Sequence, residues 1–358
     1  MTNLSSIFDL TRELPNGGLH IKEDPETGLK AIIAVHSTAL GPALGGCRFL
    51  EYNSVEDAIA DAIKLARGMS YKAAITGVPT GGGKAVIMKP KGIKSREAFF
   101  GKFGQFVEQL GGQYITAMDS GTSLLEMDII ARHTKHIASV TAENSISHGD
   151  PSPYTAFGLL KGIHAAVTYK FKTESLENIK VAVKGVGHVG MDLVARLHNQ
   201  GAKIFISDIN KESLEHCADK YGAIIVDNDT IHQTACDVYS PCALGGAINN
   251  NTIDQLNCSI VAGCANNQLA RKEYGEQLHK KNILYAPDYV INAGGLIFAY
   301  ALYANLGEDQ AFKQIENIYN SLLEIFDHSK YDNIPTSDIA DRIAIQRIEA
   351  AQQKLDAR

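Results

Sequence analysis

No two of the six cysteines (Cys47, Cys217, Cys236, Cys242, Cys258 and Cys264) form a C-x-x-C pair, and no histidine cluster stands beside them. The Cys236/Cys242 and Cys258/Cys264 pairs share one spacing, but both lie in apolar, strand-like segments. A structural zinc site needs close-set thiolate or imidazole ligands, so no metal is expected and the thiols read as buried and free. Basic charge is not in excess either. Lys+Arg number 34 against 40 Asp+Glu, a net charge of -6 with the signs mixed, which argues against a nucleic-acid partner. The first residues, Met1-Thr-Asn-Leu-Ser-Ser-Ile-Phe, have no basic segment and no long apolar run. No secretory leader is expected, and the location reads as cytoplasmic. Nor does any stretch approach the roughly 20 apolar residues that span a bilayer, so no membrane partner is expected. Short-period repeats, low-complexity tracts and disordered tails are equally lacking.

What remains is a chain of 358 residues, 45% hydrophobic, long enough for two ordinary domains. Its most informative stretch is Gly77-Val-Pro-Thr-Gly-Gly-Gly-Lys84, with a second lysine, Lys72, twelve positions before the last residue. Three consecutive glycines leave the backbone unshielded, as a chain requires where an amine must meet a small ligand or a second domain. The run is not a phosphate-binding P-loop, because Ala85 follows Lys84 where Ser or Thr is needed.

A nucleotide site lies further on. Val181-Ala-Val-Lys reads as a buried strand, and Gly185-Val-Gly187-His-Val-Gly190 follows it. Met191 to His198 then has apolar residues at 191, 193, 194 and 197, a helical spacing. Lys203-Ile-Phe-Ile-Ser is a second strand, ending at Asp208. Glycines between strand and helix, with an acidic residue about 20 positions on, form the dinucleotide fingerprint. The first glycine permits the turn, the second the approach of the pyrophosphate, the third the packing of helix on strand. The helix N-terminus favours the anion. A carboxylate at Asp208 would bind the ribose hydroxyls of NAD and repel the extra phosphate of NADP; the alternative is that Asp208 caps the following helix.

The rest divides by pattern. Residues 30–36 look like a strand, and 55–69 carry a broad apolar helical stripe. Lys84-Ala-Val-Ile-Met reads as a strand after the glycines, Ser95 to Leu110 as a helix and Gln113-Tyr-Ile-Thr-Ala as another strand. His148-Gly-Asp-Pro-Ser-Pro153 is a break rich in turn formers, and a helix from Thr155 to about Tyr169 leads into the dinucleotide segment. The expected fold is α/β in two domains, with residues 1–147 forming a substrate-binding and oligomerisation domain. Residues 148–335 form a Rossmann-type domain, and a C-terminal helix at about 336–358 returns to the first.

Three segments of the first domain supply chemistry. Gly41-Pro-Ala-Leu-Gly-Gly-Cys-Arg48 offers a glycine step that can approach a carboxylate. Met69-Ser-Tyr-Lys72 places a lysine just beyond a helix. Thr116-Ala-Met-Asp119-Ser-Gly-Thr ends a strand with a carboxylate. Hydroxy-acid dehydrogenases typically use a histidine as acid–base group, whereas two lysines and an aspartate suit amine chemistry. Taken singly, each could be a surface lysine or a structural ion pair.

These segments resemble those of a known family. Gly41-Pro-Ala-Leu-Gly-Gly, Met69-Ser-Tyr-Lys-Ala-Ala, Gly81-Gly-Gly-Lys, Asp119-Ser-Gly-Thr, Pro151-Ser-Pro-Tyr-Thr-Ala, Ala265-Asn-Asn-Gln and Pro287-Asp-Tyr-Val-Ile-Asn-Ala-Gly-Gly are similar to segments of the amino-acid dehydrogenases acting on glutamate, leucine, phenylalanine or valine. They run from about residue 30 to the C-terminal helix in the family's order. Within the family the pattern is most similar to the leucine dehydrogenases, and the chain is too short for the glutamate members.

The resemblance implies NAD-dependent, reversible deamination of leucine, valine or isoleucine to 2-oxo acids and ammonia. Lys72 would bind the substrate carboxylate, helped by the backbone at Gly45 and Gly46. Lys84 would activate water and Asp119 would shuttle protons. Gly185, Gly187, Gly190 and Asp208 would hold NAD, with Thr155, Asn266 and Asn267 near the nicotinamide and Asn292 near the amine. Leu44, Met69, Ala117, Ala138, Leu296 and Ala299 would line the side-chain pocket. A closing cleft between the domains and a homo-oligomer are also implied. Two departures bear on the substrate: Met118 stands where leucine-selective members commonly have Glu, and Asp150 where they commonly have Asn. A phenylalanine-preferring enzyme, a hydroxy-acid enzyme on the same scaffold and a catalytically idle NAD-binding regulator are the alternatives.

Overall fold

The computed structural model describes residues 7–14, 17–141 and 149–357. The expected boundary at 147/148, with His148, lies outside them. The chain forms two compact units. The first comprises Met1–Gly149, Ala299–Glu308 and Ala344–Arg358; the second comprises Asp150–Phe298 and Asp309–Ile343. The last helix is therefore divided between them, and residues 299–308 belong with the first, a return that the pattern does not signal.

The elements of the first unit are α1 (Ile7–Thr11), β1 (Gly18–Asp24), β2 (Leu29–Ser37), β3 (Ala43–Leu50), α2 (Val55–Thr76), β4 (Gly81–Met88), α3 (Arg96–Gln109), β5 (Tyr114–Met118) and α4 (Leu124–Ala131). Its sheet has the order β1-β2-β4-β3-β5. β2 runs antiparallel to β1 and β4, while β3 runs parallel to β4 and β5. Strand alternation divides the core. Ile32, Ala34 and Val86 pack with Ala58, Ile59, Ala62, Ile63 and Ala66 of α2. Ile33, Val35, Ala85 and Ile87 pack with Phe99, Phe100, Phe103 and Ile130 of α3 and α4. This is the period of two expected of a sheet covered on both faces.

Two expectations need correction here. The glycines do not precede the strand; β4 begins at Gly81 and contains them. Lys72 does not stand beyond the helix but inside α2, which continues to Thr76 and stops at Gly77 in the left-handed conformation (φ 70°). The Ala-Ala-Ile-Thr segment after Lys72 extends the buried stripe, so nothing breaks the helix earlier. Arg347 donates to the carbonyls of Ala74 and Ile75 at 3.1 and 2.8 Å, a cation on the carbonyl end of α2.

The chain continues with α5 (Ser152–Phe171), β6 (Lys180–Lys184), α6 (His188–Asn199), β7 (Lys203–Ser207), α7 (Lys211–Tyr221), β8 (Ile224–Ile225), β9 (Val238–Pro241), β10 (Ile260–Val261), α8 (Glu273–Lys280), β11 (Leu284–Tyr285), α9 (Asp288–Ile291), α10 (Gly294–Tyr303), α11 (Glu308–Glu316), α12 (Ile318–Asp332) and α13 (Thr336–Asp356); apart from residues 299–308 and the end of α13, these form the second unit. Its sheet is parallel throughout, in the order β11-β10-β9-β6-β7-β8. From β6 the chain moves outward to β7 and β8, then returns to β9 on the other side. The point where a doubly wound sheet reverses therefore lies between the ends of β6 and β9. Among the described residues no helix is long and apolar enough to cross a membrane.

Candidate active site

The glycine run has an internal cause. A Cβ on Gly82 would stand 2.0 Å from the backbone nitrogen of Ser70, one on Gly81 1.9 Å from the Ser37 carbonyl oxygen, and one on Gly83 2.7 Å from the Tyr114 ring. These approaches fill the space that was expected to admit a ligand or another domain. The glycines let α2 sit directly on β4, and Lys84 follows as a buried lysine, 6% exposed.

Gly45 and Gly46 act similarly on the next strand. The β3–β4 register pairs Leu44 with Gly82 and resumes at Cys47 with Ala85. Between these points a Cβ on Gly45 would lie 1.7 Å from the Gly83 oxygen, and one on Gly46 2.7 Å from the Asp119 Cβ. The second glycine thus makes room for Asp119. Tyr114 Oη donates to the Gly45 carbonyl, fixing this stretch from below.

Lys84 Nζ pairs directly with Asp119 Oδ2. Arg48 Nε stands 3.6 Å from the same oxygen, while its Nη1 donates to Asp61 Oδ2 at 3.0 Å and Tyr52 Oη donates to that oxygen at 2.7 Å. The Asp119 backbone N–H donates to Thr122 Oγ1 at 3.0 Å. Burial pushes the Asp119 carboxyl up, but the Lys84 and Arg48 cations outweigh it and hold it below the usual carboxylate range. The site is an amine and an ionised carboxylate in direct contact, braced by a guanidinium. Arg48 and Asp61 were not assigned from sequence; Arg48 stands two residues after the glycine step, but its partner Asp61 lies on α2 with no motif around it.

The remaining first-unit residues assigned from sequence differ in burial. Lys72 and Met69 are half-buried on α2. Leu44 and Ala138 are 1% exposed and Ala117 8%. Ala117 pairs with Gly46 across β3 and β5, and Ala138 donates to the Thr116 carbonyl at 2.8 Å. Ala299, on α10, is buried. Met118 points the opposite way from Ala117 along β5 and packs against the phenylalanine-rich core, so it does not enter the Lys84–Asp119 contact.

In the second unit the three fingerprint glycines have three different surroundings. Gly185 has φ +100°, and a Cβ there would meet Ala243 at 2.8 Å. At Gly190 a Cβ would lie 2.0 Å from the Gly185 oxygen. Gly187 has nothing within 4 Å of that position, and no side chain caps the α6 N-terminus that it begins. A tight turn, an open cradle and a close packing point are what a pyrophosphate requires, so the loop fits a dinucleotide. Asp208 Oδ2 accepts from the Val186 N–H at 2.7 Å and Oδ1 from the Asn210 N–H at 2.9 Å. It does not cap α7: Asn210 does, accepting from Ser213 at 3.1 Å.

A second group gathers around the start of α10. Asn292 Nδ2 donates to Asn266 Oδ1 at 2.7 Å and to the Cys264 carbonyl at 3.0 Å, while its buried Oδ1 has no partner among the described residues. A Cβ on Gly295 would lie 2.9 Å from Thr155 Oγ1, so Thr155 faces this step, and Leu296 follows buried. Asn267 adopts φ 53°, and its carbonyl accepts from Gly246 at 2.7 Å. Asp150 Oδ1 accepts from the Ser152 N–H at 2.8 Å, a local turn at the start of α5. One thiol expectation changes: Cys47 and Cys217 are buried, whereas Cys236, Cys242, Cys258 and Cys264 are half-buried. No group of three or more His, Cys, Asp or Glu suited to a metal occurs among the described residues.

Known proteins are similar to this chain over most of its length. Residues 19–136 match the family model for the Glu/Leu/Phe/Val dehydrogenase dimerisation domain, and residues 206–354 that for Glutamate/Leucine/Phenylalanine/Valine dehydrogenase. A leucine dehydrogenase from Thermoactinomyces intermedius is 46% identical over 96% of this chain and 93% of its own length. A valine dehydrogenase from Streptomyces virginiae is 43% identical over 92% of this chain and 93% of its own. The crystal structure of L-tryptophan dehydrogenase from Nostoc punctiforme superposes with a TM-score of 0.86 at 39% identity, covering 97% of this chain and 100% of that one. With a lysine–aspartate pair in one α/β unit and a dinucleotide loop in the other, the chain belongs to the Glu/Leu/Phe/Val dehydrogenase family, enzymes that act on the CH–NH2 group of amino acids.

Proposed function

We propose that the chain carries out NAD-dependent, reversible oxidative deamination of small aliphatic L-amino acids, giving 2-oxo acids and ammonia. The observation that carries this reading is the direct contact between buried Lys84 and Asp119. Conversion of an amine to a ketone passes through an imine that must take up water and release ammonia. Both steps need protons moved at one carbon, and a lysine and a carboxylate within transfer distance supply them. Lys84 activates the water, and Asp119 carries protons to and from the nitrogen. Lys72 pairs with the α-carboxylate, helped by the backbone at Gly45 and Gly46. When bound, NAD accepts the hydride; Gly185, Gly187, Gly190 and Asp208 hold it, with Thr155, Asn266 and Asn267 beside its ring. Asn292, whose Oδ1 has no partner among the described residues, lies near the substrate amine.

Substrate choice rests on Leu44, Met69, Ala117, Ala138, Leu296 and Ala299, none of them charged. A glutamate side chain would enter without a partner, and burying a lone charge is costly. Aliphatic side chains gain about 0.8 kcal/mol per buried CH2, so leucine, isoleucine and valine should differ modestly. A second reading, an aromatic substrate, draws on the three alanines and on the tryptophan-acting relative. A homo-oligomer accompanies the proposal, since residues 19–136 match a dimerisation domain.

The test is a steady-state comparison of kcat/KM for NAD reduction across leucine, valine, isoleucine, phenylalanine, tryptophan and glutamate, with the reverse reaction run with and without ammonia. Leucine, valine or isoleucine should rank first, and the reverse reaction should need ammonia. A first rank for glutamate would overturn the pocket, and one for an aromatic would favour the second reading. Turnover of 2-hydroxy acids with none of amino acids would sink the reaction itself.

A further inference from the structure

Strand register decides which way Arg48 points. It pairs with Val86 across β3 and β4, and Val86 packs with Ala58, Ile59 and Ala62 of α2. Its neighbours Cys47 and Phe49 belong to the core on the opposite face. Arg48 therefore lies on the α2 side of the sheet, the side that Gly46 and Lys84 share, two residues before Arg48 and Val86 on their strands.

Asp61 meets Arg48 there from α2. Arg48 Nη1 donates to Asp61 Oδ2 at 3.0 Å, and Tyr52 Oη donates to the same oxygen at 2.7 Å. Burial, with the Asp61 bond and charge, pushes the Tyr52 hydroxyl up, so it stays a donor. Burial works against the Arg48 charge, but the Asp119 and Asp61 carboxylates outweigh it. One guanidinium is thus shared by two carboxylates: Asp61 holds Nη1 in a hydrogen bond, and Asp119 faces Nε at 3.6 Å.

The two oxygens of Asp119 are not equivalent. Lys84 Nζ and Arg48 Nε both make their closest approach to Oδ2. Oδ2 and Nε are fully buried, and Nε has no hydrogen-bond partner among the described residues. Oδ1 instead accepts from the exposed Ser120 hydroxyl at 3.4 Å, a long bond. The 21% of the Asp119 side chain that is exposed therefore does not include Oδ2. A guanidinium binds a carboxylate best with two parallel N–H donors, one to each oxygen. The Asp61 bond at Nη1 holds the Arg48 fork short of that arrangement.

We propose that Asp61 is a positioning residue for proton transfer: by anchoring Arg48 short of Asp119, it leaves Oδ1 as the oxygen that exchanges protons with the substrate nitrogen while Oδ2 carries the ion pairs. The inference rests on the deamination reading of the Lys84–Asp119 pair. Oδ1 takes a proton from the nitrogen, the carboxylate becoming the neutral acid, and returns it as ammonia leaves. Oδ2, buried against two cations, is the poorer base of the two. Without its anchor Arg48 closes its fork on both oxygens, and the shuttle is occupied.

The experiment compares Asp61→Ala, Arg48→Gln and the double variant in the full-length protein. Turnover of leucine with NAD is read well above the carboxylate range, where Asp119 is ionised in every variant, and Asp61→Ala is also crystallised. Asp61→Ala should lose about 10²-fold in kcat, the lower end of what a proton-transfer group contributes, with KM for leucine nearly unchanged. Its crystal structure should show Arg48 bonded to both oxygens of Asp119. Removing the guanidinium should then free the shuttle, so the double variant should turn over faster than Asp61→Ala alone. A merely structural Asp61 predicts the reverse, losses that accumulate in the double variant. Asp61→Asn keeps the packing should alanine fail to fold, and it should show the same pattern in smaller measure. A normal kcat in both Asp61 variants, accumulating losses, or an Arg48 that stays in place or turns to solvent would each overturn the proposal. The crystal structure needs no turnover, so a chain whose Arg48 closes on Asp119 yet which oxidises no amino acid would sink the deamination and leave the anchor standing.

Discussion

The backbone N–H of Val186 donates to Asp208 Oδ2 at 2.7 Å, tying the fingerprint loop to the end of the next strand. The carboxylate therefore holds the loop in shape, and in the proposed function it has a second task, to present negative charge to the ribose.

Replacing Asp208 with Ser and Ile209 with Arg should move preference from NAD towards NADP. Ile209 is 90% exposed, so an arginine costs no packing there and offers a phosphate partner. The double variant should also bind NAD less well than charge removal alone implies, because Val186 loses its acceptor, worth about 1–3 kcal/mol. The ratio of kcat/KM for the two cofactors checks this; an unchanged ratio would mean that Asp208 reads no ribose.

Lys84→Ala and Lys72→Ala should fail in different ways. A general base contributes about 10²–10⁴-fold, so Lys84→Ala should lose at least that in kcat while NAD binding survives. A carboxylate anchor acts in ground and transition states alike, so Lys72→Ala should raise KM for the amino acid more than it lowers kcat. Near-normal turnover in Lys84→Ala would reduce that residue to a structural role, and an unchanged KM in Lys72→Ala would assign the carboxylate to another cation.

Arg48→Gln should shift the acidic limb of the pH–rate profile. Arg48 and Lys84 together hold the Asp119 carboxyl low against its burial. Removing one cation favours the neutral acid, so the folded pKa rises and activity should fade at a higher pH than in the native enzyme. Arg48→Lys should restore part of the shift. An acidic limb that does not move would place its origin outside Asp119.

Acid should loosen the first unit before it protonates the carboxylates. His36 is buried, with Nδ1 2.9 Å from Ser70 Oγ, and burial, with a smaller contribution from Arg67, lowers its pKa to about 4. Between about 6.5 and 4 the unfolded chain binds a proton that the folded chain refuses, so stability falls as pH falls across that window. His20, His164 and His232, also lowered chiefly by burial, act in the same direction. Thermal melts in steps from pH 7 to 4 should show a decline that is shallower in His36→Gln; parallel curves would contradict the assignment.

The second unit was the more legible from sequence, because its signals are local. Strand, glycines, helix and Asp208 lie within one βαβ stretch, and each glycine has a separate steric reason that the spacing encodes. The first unit was read less well. Its β3 does not read as a strand because Gly45 and Gly46 interrupt the alternation, and what they accommodate, Gly83 and Asp119, is distant in sequence. The apolar stripe is clear only to Met69, which sets Lys72 past the helix, whereas the stop signal is Gly77. Arg48 and Asp61 leave no such signal either: an ion pair between a strand and the helix packed on the sheet has no spacing to find. The half-burial of Cys242 and Cys264 depends on strand ends, which periodicity does not fix.

The contact of Gly82 with Ser70 bears on how such a chain can diverge. A methyl group at Gly82 would overlap the helix backbone, and Gly45 and Gly81 are as tightly closed, each with a backbone oxygen under 2 Å from that position. The strands that present the acid–base pair therefore have almost no neutral neighbourhood: substitutions beside Lys84 break packing before they can tune chemistry. If the proposed pocket holds, exploration of new substrates would proceed through positions such as Ala117 and Ala299, buried side chains that already carry a Cβ. A mutational scan of viability should accordingly be intolerant along Gly81–Gly83 and permissive at those alanines, leaving the reaction fixed while the repertoire of side chains drifts.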